Sequence, residues 1–230
     1  METLDSVNRE GRTRLFPSLT NPNWLVLRRR REIFRKRIDG LSPGPLDVLD
    51  VGGRFQPYRP LLDGREKSYV SVDLRRSPLV NVIARGEQLP VTSESFDLVI
   101  CTQVLEYVCE PDVLLAEIRR VLKRGGSLLL SAPAVFPYDS SHDLWRFMPG
   151  GLRWLLRSFA TVEVEAEGSS ITGLFRSANV CVLSIRPAWI AAILRYTMVP
   201  FLNLTAVALE SVLAPSNDQF SANFSVFAKK

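Results

Sequence analysis

The sequence has little of what much ligand chemistry needs. There is one histidine, and there are three cysteines, in 230 residues. Cys101, Cys109 and Cys181 form no CxxC and have no histidine beside them. That spacing argues against a zinc site and against a disulfide framework, so no metal is expected and a reducing compartment is the default. The opening METLDSVNREGRTRLF carries acids early and no apolar run, so no signal peptide is expected there. The longest uncharged piece of the C-terminal third, Tyr196 to Leu209, is fourteen residues with Pro200 inside it, too short to span a bilayer. The glycine turn that follows the first apolar run lacks a third glycine, so it is not the G-x-G-x-x-G of dinucleotide folds. What remains is an ordinary globular composition, 46% hydrophobic and 23% charged, enough for one sizeable core and short for two domains.

Charge is unevenly placed. Residues 1–45 hold ten Lys/Arg against five Asp/Glu, whereas the rest holds nineteen of each, so the net charge of +5 sits in the N-terminal arm. Within it, NWLVLRRRREIFRKRI puts Trp24, Leu27, Arg31, Phe34 and Ile38 at helical spacing, which predicts an amphipathic helix with a basic outer face. Such a helix either packs on the sheet edge with its charges solvated or contacts an anionic surface, lipid or nucleic acid. GLSPGP breaks it, giving a basic helical arm over 1–45 and a domain over 46–230. The charge-neutral remainder, with no basic-aromatic stripe, argues against nucleic acid as a partner.

From Leu46 the chain alternates strand-like and helix-like segments. LDVLDV, YVSVDL, VNVIA, FDLVICT and SLLLSAP read as strands. PDVLLAEIRRVLKRGG reads as a helix with a glycine stop, facing Val113, Leu114, Ile118, Val121 and Leu122 inward. TVEVEAEG reads as a sixth strand and NFSVFAKK as a seventh. This alternation predicts a mostly parallel sheet with helices on both faces, whose ligands bind beyond the carboxyl ends of the strands.

Two acids fall at such ends. Asp50 stands just before Gly52 and Gly53, where it would repel a phosphate and attract a cation. Asp73 closes the second strand, placed to accept hydrogen bonds from ribose hydroxyls. A ligand with a cationic end, a ribose and no phosphate fits both, and S-adenosylmethionine is one.

Taken in order, VLDVGG, YVSVDL, GEQLPVTSESFDLVICTQVLEYV and LLAEIRRVLKRGGSLLLSAP resemble the class I S-adenosylmethionine-dependent methyltransferases of the type 11 domain family, from about Val48 to about Phe159. The resemblance implies a Rossmann-like α/β fold, a mostly parallel seven-stranded sheet with its last strand antiparallel, an N-terminal helix and a helical insertion before that strand. It implies that Asp50, Gly52 and Gly53 hold the methionine end of the cofactor, that Asp73 binds ribose, and that Gln103 lines the methionine and substrate side. Glu106 matches the glutamate of the family's LEH triplet, with Tyr107 in place of the histidine. The family's adenine-binding acid is replaced by Arg85, which leaves the Gly86 amide and Glu87 to meet the adenine. Arg54, after the glycine pair, must turn away from the cofactor or clamp its carboxylate.

The single histidine, His142, lies in PYDSSHDLWRF after the fifth strand, on the ligand side, as the candidate general base. Arg146 either holds an acidic group of the acceptor or pairs with Asp143. The apolar insertion, about 171–215, reads as a helical hairpin covering the site or making a homodimer contact, or as a peripheral membrane contact beside the basic arm. The expected function is methyl transfer to a small-molecule, glycan or lipid-linked acceptor, most readily at oxygen, in the cytoplasm or at the inner face of its membrane. The rival is a binding protein of this fold that has lost cofactor use.

Overall fold

The computed structural model describes residues 2–138, 140–213 and 217–230. Seven strands form one sheet: β1 (Leu46–Val51), β2 (Glu66–Asp73), β3 (Val82–Ile83), β4 (Phe96–Thr102), β5 (Leu122–Pro133), β6 (Thr161–Ala166) and β7 (Asn223–Lys229). Their order is β3-β2-β1-β4-β5-β7-β6. β1 pairs in parallel with β2 and β4, as do β2 with β3 and β4 with β5, whereas β7 runs antiparallel to both neighbours. The strand order reverses between β1 and β4, which opens a crevice at their carboxyl ends.

Alternation along the strands supplies two apolar faces. One presents Leu49, Val51, Val99, Cys101, Leu128 and Leu130 to the helices α3 (Pro111–Val121) and α4 (Pro149–Leu155). The other presents Val48, Leu98, Ile100 and Leu129 to α2 (Trp24–Asp39) through Ile33, Phe34 and Ile38, with Leu15 of α1 (Leu4–Leu15) beside them. Each fully buried side chain of this kind contributes about 1.5–3 kcal/mol. The basic arm therefore lies on the sheet face rather than its edge.

Its arginines are engaged by neighbours. Arg37 reaches Glu163 at 2.7 Å and Arg29 reaches Glu165 at 3.1 Å, both on β6. Arg30, not Arg31, turns fully inward: it meets Glu167 at 2.8 Å, and Glu167 Oε1 also accepts from the hydroxyls of Ser131 and Ser225. Burial opposes the charge of Arg30, but Glu167 and Tyr58 more than offset it and hold the guanidinium above its ordinary pKa.

Three details differ from the sequence pattern. On α3 the inward set is Leu114, Leu115, Ile118 and Val121, whereas Val113 is exposed. No glycine ends that helix: it stops at Val121 and the chain enters β5 at Leu122, so the KRGG segment belongs to the strand, with Gly125 at φ +75°. The third strand is two residues long. The insertion forms α5 (Ser170–Leu183) and α6 (Ala188–Leu213), with residues 214–216 outside the described part. α6 runs 26 residues through Pro200 and, by length and composition alone, could cross a membrane, since helix continues past the charged residues that bounded its uncharged core. It buries Ala191, Val199, Asn203 and Ala206 and leaves Trp189, Ile193, Tyr196, Phe201 and Leu204 exposed.

Candidate active site

The crevice between β1 and β4 is bounded first by the glycine turn. Gly52 has φ +78°, and a Cβ there would stand 2.3 Å from Val104 Cγ2; one on Gly53 would stand 2.7 Å from Asp50 Cγ. Only glycines let the turn fold back over Asp50 and under Val104. Both glycine amides donate to the Val72 carbonyl, at 2.8 and 3.3 Å, which ties the turn to β2.

Asp50 is buried beneath this turn, and Tyr69 Oη donates to its Oδ2 at 2.6 Å. Burial pushes its pKa up to about 7, the Tyr69 hydrogen bond works against that, and the charge of Asp73 adds to it. Asp73 ends β2 half-buried, with the Arg75 amide donating to its Oδ1 at 2.8 Å. Two carboxylates thus stand at neighbouring strand ends, and the charge of Asp73 adds to the cost of ionising Asp50.

The two residues that disturb the sequence pattern are turned aside. Arg54 donates to Glu2 at 3.2 Å and stacks over Phe55, whose carbonyl faces Gly11 of α1. Arg85 is 68% exposed, its guanidinium 3.8 Å from Glu87. Glu87 itself is mostly covered, and Gly86 packs between Leu114 and Val51.

Beyond β4, Gln103 takes φ +53°, a left-handed conformation that costs about 1–3 kcal/mol away from glycine. Its amide donates to Ser131 O at 2.9 Å and its side chain reaches Ser131 Oγ at 3.3 Å, with Asn223 3.1 Å away. Glu106 follows, 3% exposed, and its Oε2 has no hydrogen-bond partner among the described residues. Burial raises its pKa to about 8, with Asp143 adding to the rise, so at neutrality it is mostly protonated. The Glu106 carbonyl accepts from the Leu144 and Trp145 amides, which pins the loop after β5 to this end of the sheet.

That loop carries His142 in an exposed position, its Nδ1 3.5 Å from Ser141 Oγ. Arg146 donates to both oxygens of Asp143, so of its two expected roles the pairing is the one present. Tyr69 and the inward guanidiniums were not singled out from sequence. Tyr69 alternates with Val70 and Val72 on β2, and that inward phase was the available signal.

The residues present suit a ligand with a cationic end and a ribose. Buried Asp50 gains a partner from a nearby positive charge, Asp73 retains an acceptor oxygen, and the glycine turn is closed by steric contacts that no larger residue allows. Fold and crevice together define a class I methyltransferase architecture. Residues 49–130 match the family described as a methyltransferase domain. A human thiol S-methyltransferase is 41% identical over 138 residues, 51% of this chain and 55% of that protein, so the chain spans about half the length of this relative. A probable S-adenosylmethionine-dependent methyltransferase of Mycolicibacterium smegmatis is 25% identical over 186 residues, 75% of this chain and 71% of that one. Among solved structures, the Burkholderia thailandensis 1,6-didemethyltoxoflavin-N1-methyltransferase, crystallised with its substrate and S-adenosylhomocysteine, superposes with a TM-score of 0.55 at 16% identity, covering 98% of this chain and 84% of that one. Over residues 49–130 the chain matches a methyltransferase domain, and its fold is that of the class I S-adenosylmethionine-dependent methyltransferases, whose cofactor is S-adenosylmethionine.

Proposed function

We propose that this chain transfers a methyl group from S-adenosylmethionine to oxygen on a small-molecule, glycan or lipid-linked acceptor. The observation that carries the reading is the pair of carboxylates, Asp50 and Asp73, at the ends of β1 and β2 around the glycine turn. Bound there, the cofactor supplies a methyl carbon on a sulfonium leaving group. Asp50 answers the positive charge of the methionine end, and Asp73 accepts from the ribose hydroxyls. The Gly86 amide and Glu87 meet the adenine edge, and Gln103 borders the methionine end and the acceptor. His142 takes the proton that an acceptor hydroxyl must lose, and protonated Glu106 donates a hydrogen bond into the site. Alignment of the acceptor provides much of the remaining acceleration.

The engagement of Arg54 by Glu2 and the exposure of Arg85 favour this over a binding protein that has lost cofactor use. A thiol acceptor is the second reading, favoured by the identity to the human thiol S-methyltransferase. A thiol ionises near pH ~8.5 and leans less on a base. The outer face of α6 supports the two uses expected of the insertion, a homodimer contact or a peripheral contact at the inner face of the membrane; sedimentation with anionic vesicles separates them. Titration calorimetry with S-adenosylhomocysteine tests the function. Binding with Kd at or below about 1 mM is expected, and no heat at that concentration sinks the enzyme reading.

A further inference from the structure

α5 is apolar along most of its length, yet Arg176 in its middle is completely buried. Its Nε and Nη2 both donate to one neutral acceptor, Asn23 Oδ1, at 3.0 and 2.8 Å. Its Nη1 is buried with no hydrogen-bond partner among the described residues. The guanidinium carbon lies over the Phe136 ring, 3.4 Å from the centroid. Phe136 belongs to the loop after β5, at the ligand end of the sheet, and its carbonyl accepts from Arg146 Nε at 2.9 Å.

The other guanidiniums nearby are matched one to one. Arg30 has Glu167, and Arg146 has Asp143. Among the described residues Arg176 has no carboxylate partner; burial, with the repulsion of Arg30 and Arg146, lowers its pKa to about 9. A buried, uncompensated charge is costly, and a ligand of opposite charge would relieve that cost. One unmatched positive charge calls for one negative charge. A carboxylate supplies it in planar geometry suited to a guanidinium edge, whereas a phosphate monoester would bring nearly two.

We propose that Arg176 is an acceptor-recognition residue: its free Nη1 holds a carboxylate of the methyl acceptor, with the Phe136 ring as the floor of the subsite. The acceptor is then an acid whose carboxylate is an anchor and whose methylated atom lies elsewhere. This rests on the methyl-transfer reading above, and the experiment keeps the two apart.

With the full chain saturated by S-adenosylhomocysteine, acetate and benzoate are titrated against their neutral counterparts acetamide and benzamide, following heat and thermal midpoint. At least one carboxylate should bind, with its amide weaker by about tenfold or more. Arg176→Met should abolish that preference while leaving S-adenosylhomocysteine affinity unchanged, and Arg176→Lys should restore part of it. Equal response to acids and amides, or to neither, overturns the proposal using the unmodified protein alone, so a variant that fails to fold does not shelter it. Loss of S-adenosylhomocysteine binding with the carboxylate preference intact instead strikes the methyl-transfer reading and spares the subsite.

Discussion

Replacing Asp50 with asparagine should stabilise the ligand-free protein, and by an amount that grows with pH. The folded pKa of Asp50 is pushed up to about 7 by burial, against an unfolded value near 3.8. Below the unfolded value both states hold the proton and the group contributes nothing. As pH rises from there, the unfolded chain releases a proton that the folded chain retains, so stability falls until the folded carboxyl also ionises near pH 7. At about 1.4 kcal/mol per pH unit over this window, the ceiling on the penalty is about 4 kcal/mol. Asparagine keeps an oxygen for the Tyr69 hydroxyl and cannot ionise. Its advantage should therefore be near zero at pH ~4 and about 2–4 kcal/mol at pH ~8, a rise of roughly 5–15 °C in thermal midpoint for a chain of this size. Melting curves followed by circular dichroism across that range read the effect. The same variant should bind S-adenosylhomocysteine more weakly, because the ligand's ammonium loses its carboxylate. A stability gap that ignores pH, or an asparagine variant less stable at pH ~8, refutes the account of Asp50.

Asp73→Ala should weaken S-adenosylhomocysteine binding by about 1–3 kcal/mol in calorimetry through loss of the ribose acceptor, and unchanged affinity would move the cofactor elsewhere. His142→Ala should lower turnover of a hydroxyl acceptor about a hundredfold with cofactor affinity intact; normal turnover would make His142 a loop residue only. Arg30→Met should lose about 3–5 kcal/mol of unfolding free energy in urea because Glu167 stays buried without its partner, and Arg30→Met with Glu167→Leu should regain much of it. Failure of the second change to rescue the first would mean that the pair is not the unit.

The sheet and the cofactor end were legible because their signals are local. LDVLDV and FDLVICT are mostly apolar runs that a buried strand explains, and Asp50 and Asp73 lie at the carboxyl ends of LDVLDV and YVSVD. The faults lie where the decision is made at long range. Four consecutive arginines satisfy helical spacing in more than one phase, so Arg31 is as good a reading as Arg30 until Glu167, 137 residues away, selects one. Val113 and Leu115 are equally apolar, and the sheet chooses between them. KRGG has every mark of a helix stop, yet Leu122 before it and Ser127 after it both pair with β4, so it becomes an irregularity inside β5. Helix α1 carries only a scattered apolar set, and its place is set by contact with Phe55. Arg176 could have been noticed as a lone charge in an apolar helix, but its lack of a counter-ion is a property of the packed interior.

The ion pair between Arg30 and Glu167 also has a temporal side. α2 leaves the ribosome before every strand of the sheet, and the groups that cover it come from β1, β4, β5 and finally the chain after β6. At roughly 5–20 residues per second, the interval between Arg30 and Glu167 is on the order of ten seconds. Until β4 and β5 emerge, the apolar side of α2, with Ile33, Phe34 and Ile38, lacks most of the sheet face it lies on. The hydrated basic residues flanking that side keep the nascent helix soluble until Glu163 and Glu165 of β6 arrive to pair with Arg37 and Arg29.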